Sequence, residues 1–181
     1  MRKLLIMLMA FAPLSSLGAA APDWILTSSD GEEIVAKNVW REGPTIMLFW
    51  ASWCPYCKAL MPHLQSMLHE FNDDDCPLKV YAFSYREDGD PVAIAKERGL
   101  DFTIFPDPRD LPEQMGVVAM PGLFIIDTRG EILLDLYEVT TDMQTDAGWA
   151  ELSHREKAAR RAPYWADRIR ETLNRFYEGL D

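Results

Sequence analysis

The residues best equipped for chemistry are Cys54 and Cys57, two thiols separated by two residues in the run Trp53-Cys54-Pro55-Tyr56-Cys57-Lys58. Such a pair can close into a disulfide and open again, and the ring it closes is too short to constrain much of an unfolded chain. Exchange with a disulfide or thiol elsewhere is therefore the chemistry to expect, with a structural staple as the weaker reading. Zinc would need four ligands, commonly completed by a second Cys or His pair at fixed spacing. Beyond this pair the chain has Cys76 and the scattered His63, His69 and His154, so no metal and no cofactor is expected. Cys76 follows three aspartates, whose charge disfavours a thiolate, and reads as a bystander.

Several elements must position the pair. The uninterrupted apolar run at residues 45–50 suits a strand covered on both faces. A helix should follow over 55–71, with Leu60, Leu64, Met67, Leu68 and Phe71 on one face and Pro62 kinking it. Upstream, residues 23–39 read as a hairpin turning at Ser29-Asp30-Gly31-Glu32. Downstream, strands are expected at 78–84, 102–105, 123–127 and 132–137, the last two joined by Thr128-Arg129-Gly130. Between them fall a helix over 91–98, capped by Asp90 and closed by Gly99, and a helical turn at 112–115. The order β-α-β-α-β-α-β-β implies an α/β fold with a mixed central sheet flanked by helices. Past Thr140 the pattern loosens through 142–148. A polar helix over 149–161 and a last one starting at Pro163 then follow, the latter with Trp165, Ile169, Leu173, Phe176 and Leu180 on one packing face.

The 181 residues, 48% of them hydrophobic, suit one compact domain. A basic Met1-Arg2-Lys3, an apolar stretch to about Leu17 and the small residues Gly18-Ala19-Ala20 read as a secretory signal peptide over 1–20, cleaved after Ala20. The competing reading is an uncleaved anchor, but the apolar stretch falls short of the roughly 18 residues a span needs. A formal charge of −11 argues against nucleic acid and anionic lipid as partners. Export to an oxidising compartment makes disulfide chemistry the natural use of the cysteines.

The strand ending in Phe49-Trp50-Ala51-Ser52-Trp53-Cys54-Pro55-Tyr56-Cys57-Lys58, the helix interrupted by Pro62 and the later Met120-Pro121 before a strand resemble the thioredoxin superfamily. The N-terminal hairpin, the added helix and strand near 90–105 and the run Gly122-Leu123-Phe124-Ile125-Ile126-Asp127-Thr128-Arg129-Gly130-Glu131 resemble, more narrowly, the TlpA/ResA-like envelope thiol-disulfide oxidoreductases. The resemblance implies a thioredoxin-like domain over 21–139, carrying the N-terminal hairpin and a central βα-type insertion. Residues 140–181 are left as a helical extension packing on it. It also implies roles: Cys54 the nucleophile at an exposed helix N-terminus, Cys57 the resolving thiol, and Pro121 a cis-proline that presents the Met120 backbone to an extended substrate. Trp53, Pro55 and Tyr56 would complete the substrate-binding surface. The implied partners are protein thiols or disulfides and a redox partner protein, a membrane-bound electron donor being one form of it, with no stable membrane insertion once the signal is removed.

Two departures from the resemblance concern protons. Where this group usually carries a buried Glu the chain has Leu60, and where thioredoxins carry a buried Asp it has Leu48, so the usual proton shuttles for Cys57 are absent. The function expected is an exported protein-disulfide reductase of the cytochrome c maturation type. The alternatives are a Cu(I)-handling or partner-binding module using the cysteines with Met120, and a disulfide oxidase or isomerase.

Overall fold

The computed structural model describes residues 19–72, 74–141 and 148–180. The expected signal peptide over 1–20 therefore lies almost wholly outside the described residues, as does most of the loosened stretch 142–148. Among the described residues no helix is long and apolar enough to cross a membrane.

Five strands form the central sheet: β3 (Thr45–Trp50), β4 (Lys79–Ser84), β5 (Thr103–Phe105), β6 (Gly122–Ile126) and β7 (Ile132–Asp135), in spatial order β5-β4-β3-β6-β7. β3 runs parallel to β4 and antiparallel to β6, β4 runs parallel to β5, and β6 antiparallel to β7. Every residue of β3 is buried, as its unbroken apolar character requires of a central strand covered on both sides. A two-stranded hairpin, β1 (Ile25–Thr27) with β2 (Glu33–Val35), precedes the sheet.

Alternation along β3 sends its side chains into two cores. Ile46, Leu48 and Trp50 enter the cluster beneath α2 (Pro55–Glu70) and α5 (His154–Glu178), joined by Ala95 of α3 (Pro91–Glu97). Met47 and Phe49 face the other side, where β1, β2, α1 (Ala36–Trp40) and α4 (Leu111–Gln114) close the sheet. Aromatic packing dominates there: Phe83 stacks on Phe49 at 5.0 Å and on Phe105 at 4.8 Å, and Trp24 meets Phe83 edge-on at 5.5 Å. The hairpin is thus fastened to the sheet through Trp24.

The β6–β7 turn is built around Asp127, whose buried carboxylate accepts the backbone N–H groups of Arg129 and Glu131, each at 2.8 Å, and the Arg129 guanidinium. Gly130 completes it with φ +86°, and any Cβ there would lie 2.8 Å from the Trp40 ring. The backbone of Ala19 and Ala21 pairs with the same turn, through Ala21 N–H to Gly130 O and Ile132 N–H to Ala19 O.

Three expectations are corrected. Residues 36–40 form α1 rather than the end of the hairpin; five residues with no side-chain N-cap carry too little period to be read as a helix. The expected break before Pro163 is absent, and α5 runs unbroken with Pro163 inside it. Its true start is a capping box at Ser153, which accepts the Glu156 N–H while the Glu156 carboxylate accepts the Ser153 N–H at 2.8 Å. Interior proline costs about 3 kcal/mol. Buried Ala158 and Ala162 before it, with Trp165, Ile169 and Leu173 after it, hold both halves against the core and outweigh that cost. Finally, Leu180 falls beyond the helix and is 57% exposed and Phe176 is only half-buried; the packing face ends instead at Tyr177, which joins the core cluster and stacks on Phe71 at 5.2 Å.

Candidate active site

The parallel strands β3 and β4 end at the same edge of the sheet, and the turn that follows β3 delivers the cysteines. Cys54 N–H donates to Ala51 O at 3.1 Å, and Cys54 then stands as the N-cap of α2, with Pro55 at the first helical position, where its missing N–H costs nothing. Its Sγ accepts the Cys57 N–H at 3.1 Å, in the place a capping oxygen usually takes. Cys54 and Cys57 are joined as a disulfide, with Cα atoms 5.4 Å apart. Sulfur in that position accepts a backbone N–H at the positive end of a long helix, an arrangement that favours a thiolate on Cys54 after reduction.

Cys54 is not exposed as expected. It is 2% accessible and Cys57 fully buried, both within the α2–α5 core cluster against which Tyr56 and Met120 pack. Exposure falls instead on the neighbours. Trp53, next to Cys54 in the chain, is 51% accessible, and Val118, on the segment leading to the cis-proline, is 77% accessible, so both segments that flank the disulfide expose an apolar side chain. Pro55 and Tyr56 are half-buried at the start of α2. The Met120–Pro121 peptide bond is cis. The Ala119 segment before it is held by Tyr137, whose hydroxyl donates to Ala119 O at 2.5 Å and accepts the Ala119 N–H at 3.3 Å. Burial pushes the Tyr137 phenol above its ordinary value, against the Ala119 and Val118 backbone hydrogen bonds, so it stays protonated and able to donate. Leu48 and Leu60 are fully buried in the same cluster as the cysteines, so neither position offers a base.

A second anchor comes from the loop after β4. Glu87 accepts the Ser52 N–H at 2.7 Å, the Ser52 hydroxyl at 2.5 Å and the Asp88 and Gly89 N–H groups, each at 2.9 Å. Burial opposes its charge, but the Ser52 side-chain and backbone bonds, with those of Gly89 and Asp88, prevail and hold the carboxyl below its usual range. The preceding Arg86 has φ +54°, and its carbonyl accepts the Trp53 indole N–H at 3.0 Å. One acidic loop therefore fixes the two residues immediately before Cys54.

The third contribution comes from α5. His154 Nδ1 lies 3.5 Å from the Tyr56 hydroxyl, and Arg161 sits over the Tyr56 ring at 5.9 Å. Neither Glu87 nor these α5 residues stood out in the sequence. Glu87 is one acid in the polar loop Arg86-Glu87-Asp88-Gly89-Asp90, and His154 is 98 positions from its contact, so no local pattern signals either.

A disulfide between two cysteines three positions apart at the N-cap of a long helix, beside a cis-proline loop on a thioredoxin-like sheet, defines a thiol-disulfide oxidoreductase. Residues 17–134 match the AhpC/TSA family, and the chain belongs to it. Sporulation thiol-disulfide oxidoreductase A of Bacillus subtilis is 29% identical over 112 residues, covering 60% of this chain and 67% of that protein. A thiol:disulfide interchange protein DsbE homolog of Paracoccus denitrificans is 31% identical over 125 residues, covering 67% and 66%. The crystal structure of StoA from Bacillus subtilis superposes with a TM-score of 0.52 at 25% identity, covering 65% of this chain and 88% of that one.

Proposed function

We propose that this thiol-disulfide oxidoreductase is exported and reduces disulfides in other proteins. The observation that carries the protein-directed part is the pairing of a nearly buried disulfide with an exposed apolar rim, Trp53 and Val118. A small thiol gains nothing from that rim, whereas a polypeptide laid across it buries apolar surface before its cysteine reaches Cys54. The resemblance to TlpA/ResA-like proteins supports the reductive direction and the Met120 backbone as the strand-pairing edge.

In the reductive direction the Cys54 thiolate attacks one sulfur of the partner disulfide, forming a Cys54–partner disulfide and releasing the other partner sulfur as a thiolate. Cys57 then gives up its proton and attacks the Cys54 sulfur. The Cys54–Cys57 disulfide forms and the second partner thiol leaves, so two electrons have passed to the partner. A dithiol redox partner restores the reduced pair by the same steps in reverse. With Leu48 and Leu60 in place of acids, the Cys57 proton has no buried acceptor at either position, and its loss is expected to limit the resolving step.

The test is trapping with the full chain. A Cys57→Ser variant should accumulate mixed disulfides with exported cysteine proteins through Cys54, and the reduced wild type should reduce a protein disulfide such as insulin. Absence of both outcomes refutes the reading. Mixed disulfides without net reduction would overturn only the direction.

A further inference from the structure

A cavity of about 310 Å³ opens beside the disulfide motif, between the cis-proline loop and α5, with Tyr56, Met120, Pro121, His154, Arg161 and Trp165 in its wall. Two of its sides belong to the exchange machinery, and the third is built from residues beyond the family match, which ends at 134. What α5 brings to the cavity is a cation. The Arg161 guanidinium lies over three aromatic rings, Trp149 at 5.1 Å, Tyr56 at 5.9 Å and Trp165 at 5.9 Å, which fix it in place by cation–π contact. Its Nε is buried and has no hydrogen-bond partner among the described residues, and no carboxylate among them pairs with it. A guanidinium held by ring faces keeps its in-plane N–H groups for an acceptor that comes from outside. The Tyr56 hydroxyl and the His154 ring, 3.5 Å apart, add polar groups to the same wall.

Resting on the exchange reading above, we infer that this cavity is a specificity subsite for a carboxylate side chain on the polypeptide whose cysteine is exchanged, placed one or two residues from that cysteine. The short reach follows from Tyr56, which lies between the two cysteines in sequence and under Arg161 in space. A strand advances about 3.3 Å per residue, so a neighbour of the reacting cysteine arrives beside the motif. The chain carries a net −11, which by itself slows an acidic peptide, so a preference for acid must come from a local cation.

The reduced full chain is given cyclic peptide disulfides identical except for Glu, Gln or Lys beside the cysteines, and the second-order rate of reduction is read for each. The Glu peptide should react about fivefold faster than the Gln peptide, and the Lys peptide slower than both, with the spread narrowing in high salt. Arg161→Gln should collapse the Glu/Gln ratio to about one, and Arg161→Glu should invert the series toward Lys, an outcome that a damaged fold cannot produce. Equal rates for Glu and Gln peptides in the wild type, or a Glu preference that survives Arg161→Gln, overturn the subsite and leave the oxidoreductase reading intact. A wild-type preference for Lys also overturns it, showing that the aromatic rings serve a partner's cation. Failure to reduce any peptide counts against the exchange reading itself.

Discussion

Replacing Glu87 tests how the residues before Cys54 are held in place. Its carboxylate accepts four hydrogen bonds of 2.5–2.9 Å, two of them from Ser52. In Glu87→Gln one oxygen remains an acceptor while the new NH₂ faces donors. A hydrogen bond to a charged group contributes about 1.5–3 kcal/mol when buried. Two impaired bonds at this half-buried site, discounted for solvent screening, give an expected loss of about 1–2 kcal/mol at pH 7. The pH dependence follows from the depressed carboxyl. Its stabilisation is complete above the ordinary glutamate value, near 4.5, and disappears as pH falls through the lower folded value. Urea unfolding of the oxidised wild type and variant, followed by tryptophan fluorescence, should therefore show a gap at pH 7 that narrows progressively below pH 4.5. The rate of disulfide exchange should fall as well, because Ser52 and Trp53 lose their tether. Equal midpoints at pH 7, or a gap that widens on acidification, would refute the argument.

Removing the capping box with Ser153→Ala should cost about 1 kcal/mol and fray the turn that carries His154, measurable as a lower urea midpoint and weaker helical circular dichroism. Ile169→Ala, at a fully buried position of α5, should cost about 2–4 kcal/mol, whereas Leu180→Ala, at an exposed position, should leave the midpoint within about 0.5 kcal/mol. Gly130→Ala should destabilise by more than about 1 kcal/mol, because its Cβ would meet the Trp40 ring at a positive φ; an unchanged midpoint would refute the close approach. Leu60→Glu would bury a carboxyl beside the cysteines. It should lower stability by about 2 kcal/mol or more while adding a pH-dependent limb to the exchange rate, and a pH profile identical to wild type would show that the position does not communicate with Cys57.

What could be read along the chain was whatever local periodicity or punctuation records. The five sheet strands, the Asp90 cap and the Gly99 stop of α3 all fall within a residue or two of their expected bounds. The apolar run at residues 46–50 of β3 reports its burial on both faces, since only a doubly covered strand tolerates five such residues in succession. α1 escaped because five residues carry too little pattern. α5 reads as two helices because an interior proline is a true local penalty whose compensation lies in distant contacts.

The chemistry of the site divides in the same way. Disulfide exchange follows from the sequence itself, because the types and spacing of Cys54 and Cys57 are covalent facts that need no fold to be read. The depth of Cys54, the tether from Glu87 to Ser52 and the placement of Arg161 above Tyr56 exist only once the chain has folded. The physical reason is that burial, hydrogen bonding and cation–π contact join residues tens to about a hundred positions apart, and no window of sequence contains both partners.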